Sequence, residues 1–199
     1  MRLTKEQSEK NRVLIVKAAA RLFRARGIES VTVADVMKDA GFTHGGFYNH
    51  FASKDELASE AVAWAFEEFT ADLTEIITRG ENAPAAFLEA LKGYLTIKHR
   101  DATAGGCPTA ALPIDAARFG EDVQAQYANG IELYLDIFVR WLGGDPASAR
   151  EEAVTILSAM VGALVLSRGV KKASAELSLE LLRGVQNWVV RRVTERAIL

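Results

Sequence analysis

Residues 31–57 read VTVADVMKDAGFTHGGFYNHFASKDEL, and they predict two short helices joined by a tight turn, with a third helix following at once. Thr32 can cap the first helix, in which apolar residues repeat at helical spacing between Val33 and Met37. Residues 40–42, Ala-Gly-Phe, supply the turn that such a pair of helices requires. This order is typical of a helix-turn-helix, whose second helix lies in the major groove of DNA with its first residues at the base edges.

The second helix is predicted to run from Thr43 to His50 and to present one side to DNA. Gly45 and Gly46 lack side chains near its start, which is costly for a helix but lets the backbone approach a phosphate or a base closely. Phe47 and Phe51, four residues apart, form its inward face. The polar side chains on the rest of the helix are those of His44, Tyr48, Asn49 and His50. A helix-turn-helix pattern by itself also occurs in helical bundles that bind no DNA.

The third helix opens with Ser-Lys-Asp-Glu at residues 53–56, a capping-box pattern. Residues 41–57, which include this opening, resemble the signature of the TetR family of bacterial transcriptional regulators, in which the pattern aromatic-Tyr-x-His-Phe-x-x-Lys, followed by an acidic residue and leucine, recurs. Upstream, an apolar series that ends at Arg26-Gly27 resembles that family's first helix. The series is Ile15, Ala18, Ala19, Leu22 and Phe23. The resemblance extends over about residues 12–60.

The resemblance implies DNA contacts of three kinds: phosphate ligands, residues at base edges and residues against the DNA backbone. By this resemblance, Thr32 and Tyr48 bind phosphates, and His44 and Gly45 lie nearest the base edges. His50 and Lys54 contact the DNA backbone. At Gly46 the family usually has a larger residue. The full set of predicted DNA-binding residues is Thr32, Thr43, His44, Gly45, Gly46, Tyr48, Asn49, His50 and Lys54.

We predict an all-α fold with a helix-turn-helix DNA-binding domain at residues 1–54 and a helical effector-binding and dimerisation domain at residues 55–199. Residues 1–54 hold ten Lys and Arg against five Asp and Glu, whereas residues 55–199 hold fourteen against twenty-one. The basic segment favours attraction to phosphates. Lys5, Lys10 and Arg12 are either phosphate contacts or solvated cations of an N-terminal arm.

The composition bounds the class of protein. A chain of 199 residues with 49% hydrophobic residues can bury one sizeable core or two small ones. The N-terminus lacks the apolar run of a secretory leader, the apolar stretches read as too short to span a bilayer, and a single cysteine excludes an internal disulfide. We therefore predict a cytoplasmic protein without a membrane partner.

Beyond Leu57 the apolar spacing is helical throughout, and the whole chain is predicted to form about nine helices without a strand. The fourth helix is long and is predicted to end near Arg79-Gly80. The next begins near Pro84 and is broken at residues 102–106. The remaining predicted helices are 110–118, 121–142, 147–167 and 175–197.

The last two predicted helices carry more apolar residues than one buried stripe requires. Their width indicates burial on two sides, and the same pair of helices from a second copy is the economical partner. Coverage by the chain's own helices is the alternative. A two-fold homodimer would place its two recognition helices about 34 to 36 Å apart, in successive major grooves of double-stranded DNA.

Aromatic residues in the middle of the chain predict a pocket for a small-molecule effector, although each could equally be plain core. The candidate residues are Phe66, Phe69, Tyr94, Tyr127 and Trp141. Cys107 is a further candidate, for sensing, because it precedes a predicted helix whose N-terminal end lowers a thiol pKa, and because adjacent glycines indicate access. Its Gly-Cys loop also resembles that of TetR-family members that sense electrophiles or oxidants.

No spacing of residues indicates a catalytic site, a metal site or a cofactor, so we predict that the protein is not an enzyme. The family resemblance implies a repressor that a small molecule releases from a palindromic operator. A second interpretation stays open, namely a helical ligand-binding or partner-binding dimer whose helix-turn-helix no longer binds DNA.

Overall fold

The computed structural model describes residues 4–78 and 83–196, and within these ranges all regular structure is helical. A 3₁₀ helix (His44–Asn49) lies between the second and third α-helices. The α-helices are α1 (Lys5–Arg26), α2 (Val33–Asp39), α3 (Lys54–Thr78), α4 (Ala83–Tyr94), α5 (Ile97–Asp101), α6 (Pro108–Ala111), α7 (Pro113–Arg118), α8 (Glu121–Leu142), α9 (Pro146–Val170) and α10 (Ala175–Arg196). The all-α prediction is confirmed.

The described residues contain eleven helices where about nine were predicted, because two predicted helices are each divided. Thr96 starts α5 as a new helix, since its hydroxyl accepts the backbone N–H of His99 at 3.2 Å. Pro113 separates α6 from α7 because it has no N–H to continue the first of them, and it begins the second at a position that suits proline.

The chain divides into two compact units. The first unit contains residues up to Glu68 together with Cys107–Gly130, and the second contains Phe69–Gly106 and the residues from Ile131 onward. The prediction of a domain boundary after residue 54 is not tested by this division, which follows contacts rather than function.

The core of the first unit is the three-helix assembly at the N-terminus. Its largest fully buried side chains include Ile15, Phe23, Ile28, Met37, Phe47, Phe51 and Leu57. Gly27 ends α1 with φ +83°, a conformation that favours glycine. There the carboxylate of Asp115 accepts the backbone N–H of Ile28 at 2.6 Å, which attaches α7 to the turn that follows α1.

The second unit is built on the antiparallel pair of α9 and α10, with α4 packed against α10. Ser167 and Ser178 are fully buried between the pair, and their hydroxyl oxygens lie 2.6 Å apart. The guanidinium of Arg168 donates to the carbonyls of His99 and Arg100, which holds α5 against α9.

One helix contradicts the expectation that the apolar stretches are too short to cross a bilayer. Helix α9 is long and apolar enough by length and composition, with a mean hydropathy of 1.8 over its most apolar window, of which 39% is buried. The expectation considered only unbroken apolar runs. Gly, Ser and Thr residues interrupt such runs in α9, but they lower the mean hydropathy of the helix only slightly. The core helix of a folded domain passes the same test.

Candidate nucleic-acid interface

Helix α2 begins with a complete capping box, as predicted for its N-terminal residue. The Thr32 hydroxyl accepts the backbone N–H of Asp35 at 3.1 Å, and the Asp35 carboxylate accepts the backbone N–H of Thr32 at 3.0 Å. The same hydroxyl donates to the Asp35 carboxylate at 2.7 Å. These hydrogen bonds from Thr32 lower the pKa of Asp35. The start of α2 is therefore rigid and keeps an anionic side chain at its first turn.

The turn between α2 and the 3₁₀ helix is set by Gly41. It has φ +83°, and the next residue, Phe42, donates its N–H to the carbonyl of Met37 at 2.8 Å. This bond closes the end of α2 in the manner of a glycine-terminated helix. The turn directs the chain straight into the residues predicted to read DNA.

The predicted recognition helix is a 3₁₀ helix, and it spans His44–Asn49 instead of Thr43–His50. Gly46 donates its N–H to the carbonyl of Thr43, and His50 donates to Phe47, which are three-residue steps. Two adjacent glycines disfavour an α-helix, and short 3₁₀ segments suit such a sequence. The recognition helix nevertheless has the predicted two-sided character.

Its inward side is aromatic and its outward side is polar. Phe47 and Phe51 are 1% and 2% exposed, and their rings stack with centroids 5.6 Å apart. Tyr48 is 71% exposed and meets the ring of Phe47 edge-on. The other exposed residues of this segment are Thr43, His44, Gly45 and Asn49, whereas Gly46 and His50 are half-buried. The structure thus leaves most of the predicted DNA-binding residues of the segment exposed.

The two glycines of the recognition helix are not required by the fold. Neither has a positive φ, and a Cβ built on Gly45 meets nothing within 4 Å. A Cβ on Gly46 makes only ordinary contacts, 3.6 Å from Met37 and 3.9 Å from Thr43. Alanine would stabilise a helix better than glycine by about 0.5 to 1 kcal/mol. Gly45 therefore faces open space at the surface, and neither glycine benefits folding.

Helix α3 begins with a modified version of the predicted capping box. The Ser53 hydroxyl accepts the backbone N–H of Glu56 at 3.1 Å, but the Glu56 carboxylate accepts the N–H of Ala52, at 2.7 Å, instead of that of Ser53. Lys54 is half-buried, and its ammonium group donates to the carbonyl of Glu29 at 3.3 Å. This contact ties the start of α3 to the segment between α1 and α2.

Arg12 is engaged inside the protein and is not a solvated cation of an arm. Its guanidinium donates to the carboxylates of Glu56 and Glu60 and to the carbonyl of His50, and its charged carbon lies 4.1 Å from the centre of the Phe51 ring. The sequence around Arg12 does not indicate these contacts, because the partners lie 38 to 48 residues away along the chain.

His50 stands at the end of the recognition helix, where burial, and then the nearby charge of Arg12, lower the pKa of its imidazole. The histidine is therefore neutral at physiological pH. A neutral imidazole can donate or accept one hydrogen bond at a DNA backbone, but it adds no positive charge there.

The six residues predicted to bind or sense a ligand fall into three groups. In the first unit, the rings of Phe66 and Tyr127 pack edge-on at 5.6 Å. Burial is the main cause that raises the pKa of Tyr127, and the nearby Cys107 raises it further. In the second unit, Phe69 and Tyr94 both contact His99, with ring centroids 5.6 and 4.5 Å away.

Trp141 forms the third group, also in the second unit, where it stacks on Phe87 at 4.0 Å. The feature that the sequence does not indicate is the polar surrounding of His99. Burial is the main cause that lowers the pKa of His99, and its Nδ1 donates to the carbonyl of Tyr94 at 2.7 Å. A neutral histidine with its acceptor nitrogen on the opposite side of the ring thus lies between two predicted ligand residues.

The expectation that Cys107 is accessible is wrong. Its side chain has no exposed surface, although glycines precede it as the sequence shows. Chain neighbours do not decide access here, because Cys107 immediately precedes α6, which packs against α1.

We predict that the thiol of Cys107 reacts slowly with Ellman's reagent in the native protein, at least about a hundredfold slower than in 6 M guanidinium chloride, because reaction requires a local opening. The release of thionitrobenzoate measures the rate. Equal rates in the two conditions would show that the thiol is accessible in solution.

Comparison with known protein families identifies the N-terminal region. Residues 15–61 match the family model described as bacterial regulatory proteins, tetR family. The regulator TtgR of Pseudomonas putida is 44% identical over 57 residues, which cover 29% of this chain and 27% of TtgR. The uncharacterised regulator YfiR of Bacillus subtilis is 33% identical over 67 residues, or 34% of this chain and 33% of YfiR. The matched region thus spans about a third of the length of these relatives or less.

Solved structures extend the likeness to the whole fold. A TetR transcriptional regulator from Chloroflexus aurantiacus aligns with a TM-score of 0.75, covering 95% of this chain and 96% of that one at 22% identity. At this identity the likeness shows a shared fold alone. Both the helix-turn-helix and the C-terminal helices are therefore arranged as in a known structural class.

Proposed function

Because the chain belongs to the TetR family of bacterial regulatory proteins, we propose that it is a transcriptional repressor, released from a palindromic operator by a small-molecule effector. The observation that carries this proposal is the polar surface of the recognition helix, where Gly45 leaves open space that folding does not need. A protein surface gains from such a space where a nucleic-acid backbone or base must approach closely. Its place of action is the cytoplasm.

The residues of this surface divide by the kind of DNA contact that each can make. Tyr48 is exposed and carries a hydroxyl that can bond a phosphate, while His44, at the start of the recognition helix, has ring nitrogens that can read a base edge. Thr32 and Lys54 flank the helix, and Thr43 and Asn49 complete its exposed face. We assign phosphate contacts to Tyr48 and Lys54, and base contacts to His44 with the two glycines. Thr32 donates both its hydroxyl and its N–H to Asp35, so it joins the phosphate contacts only by exchanging one of these donors.

We propose that the protein acts as a homodimer through α9 and α10. Both helices carry apolar side chains that the chain itself leaves exposed. On each helix one pair of them lies about three helical turns apart, and on α9 a further residue adjoins the pair. They are Val154, Val165 and Leu166 on α9, and Leu177 and Trp188 on α10. Such a surface is typical of a two-fold interface between identical subunits. A dimer doubles the recognition surface, as a palindromic operator requires.

We propose that the effector contacts the aromatic residues around His99 in the second unit, namely Phe69, Tyr94 and Tyr134, with Trp141 as a further candidate. Aromatic walls with one neutral hydrogen-bonding side chain suit an apolar ligand that bears a polar group. By linkage, an effector that weakens DNA binding must bind the DNA-bound protein less tightly.

Selection of bound duplexes from a random pool tests the function directly. We expect the purified protein to enrich a palindrome whose half-sites lie about one helical turn apart, with an affinity that falls steeply with salt. Compounds that release the selected duplex then identify the effector class. If no duplex is enriched at any salt concentration, the alternative holds, in which the helix-turn-helix has lost DNA binding.

A further inference from the structure

Arg12 joins three parts of the first unit at one point. From α1, its Nη1 donates to the carbonyl of His50, the residue that ends the recognition helix. Its Nη2 donates to the Glu56 carboxylate at 2.9 Å and to Glu60, and its Nε donates to Glu60 at 3.3 Å. One side chain of α1 thus holds the end of the recognition helix and two carboxylates of α3.

The partners of Arg12 are themselves tied to the same corner. The Glu56 carboxylate also accepts the backbone N–H of Ala52, in the loop between the recognition helix and α3. The Arg12 guanidinium lies over the ring of Phe51, at a distance and over a face suited to a cation–π contact. Residues 50–52 are therefore fixed in place by contacts with Arg12 and Glu56.

Arginine is chemically specific at this position. The planar guanidinium presents its donors in a fixed fork, so that it can bond a carbonyl and two carboxylates at once and stack on a ring. A lysine keeps the charge, but its single ammonium group cannot occupy all these directions. Exchange of Arg12 for lysine therefore removes the geometry while it retains the charge.

The surroundings allow this exchange without unfolding. The Arg12 side chain is 24% exposed, and it lines a surface cleft of about 180 Å³ that it shares with Glu60 and Trp64. Water can enter this cleft and solvate the carboxylates that Arg12 leaves. The variant protein is thus expected to fold, because no charge remains both buried and unpaired.

We infer that Arg12 is a positioning residue for DNA binding: it fixes the end of the recognition helix against α1 and α3 and does not contact DNA itself. The inference rests on the proposed function. From the sequence, Arg12 is a candidate for a phosphate contact. The inference gives it an internal role instead. Loss of the fork lets residues 44–51 move, and DNA binding must then restore their order at a cost in affinity.

The test compares Arg12→Lys with Arg24→Lys, which alters a second ion pair between α1 and α3 that does not involve residues 44–51. Arg24 pairs with Glu68 at 2.6 Å. For Arg12→Lys we expect about tenfold weaker binding to the selected duplex, with an unchanged slope of log K against log salt concentration, because no phosphate contact is lost. Backbone amides of residues 44–51 should exchange hydrogen about tenfold faster.

Arg24→Lys should change neither the affinity nor the exchange of residues 44–51, measured where both variants are fully folded. In Arg12→Gln, which removes the charge, a salt slope reduced by about one would overturn the inference, since it would indicate a direct phosphate contact. Equal effects of the two variants, or no effect of Arg12→Lys, would also overturn it. Hydrogen exchange needs no DNA, so failure to bind any duplex would refute the proposed function separately.

Discussion

Gly130→Ala is expected to destabilise the first unit by about 3 kcal/mol or more, at the upper end of the cost of overpacking a core. A Cβ on Gly130 would lie 2.2 Å from Cγ of Phe66 and less than 2.5 Å from both adjacent ring carbons. Phe66 is 2% exposed and also packs edge-on against Tyr127. Rotation of the ring about χ2 leaves Cγ in place, and the burial of the side chain opposes a change of χ1.

The measurement is urea unfolding followed by circular dichroism, with Gly93→Ala as the matched control. Gly93 lies in α4, and a Cβ there meets nothing within 4 Å. Alanine is the better helix former, so Gly93→Ala should be neutral or stabilising by up to about 1 kcal/mol. The expected changes in the free energy of unfolding differ in sign between the two variants, so the comparison separates the effect of packing from that of helix propensity. A Gly130→Ala protein as stable as the wild type would show that α3 and α8 do not pack as described.

Leu166→Glu combined with Trp188→Glu is expected to abolish dimerisation and to weaken operator binding by at least about a hundredfold. Leu166 of α9 is 56% exposed and Trp188 of α10 is 37% exposed within the single chain. A carboxylate at each position would have to be buried without a partner in the proposed interface, which opposes association. A monomer can occupy only one half-site, so the contribution of the second recognition helix to affinity is lost.

Sedimentation at micromolar concentration measures the oligomeric state, and fluorescence anisotropy with the selected duplex measures affinity. Ile114→Glu is the control, because Ile114 is 62% exposed on α7 and lies outside the proposed interface. It should leave the dimer intact. A wild-type protein that sediments as a monomer, or a double variant that remains a dimer, would refute the interface on α9 and α10.

The features that sequence analysis predicted well are those decided by neighbours in the chain. The cap at Thr32 and the turn at Gly41 follow from residues within a few positions, and the structure has both. The resemblance to the TetR family rests on one such local segment. The helical form of residues 44–49 was predicted, whereas its 3₁₀ geometry was not, although the two glycines were an available signal.

Other features depend on contacts across long stretches of chain. Nothing near Arg12 in the sequence indicates that it reaches His50, and nothing near Gly130 indicates that the ring of Phe66 takes the place of a side chain. The burial of Cys107 could not be predicted from the sequence either, because the glycines before it favour exposure. Tertiary packing buries the side chain instead. Residues that position a site are harder to predict than residues that form it, since their partners are distant.

The most direct test of DNA reading by the recognition helix compares His44→Ala and Tyr48→Phe in repeated duplex selections. We expect His44→Ala to change the preferred base at one symmetric pair of operator positions, because a base-edge contact is lost. Tyr48→Phe should bind all duplexes about tenfold more weakly while keeping the wild-type preference, because a phosphate contact is lost. An unchanged preference in His44→Ala together with an altered preference in Tyr48→Phe would contradict the account.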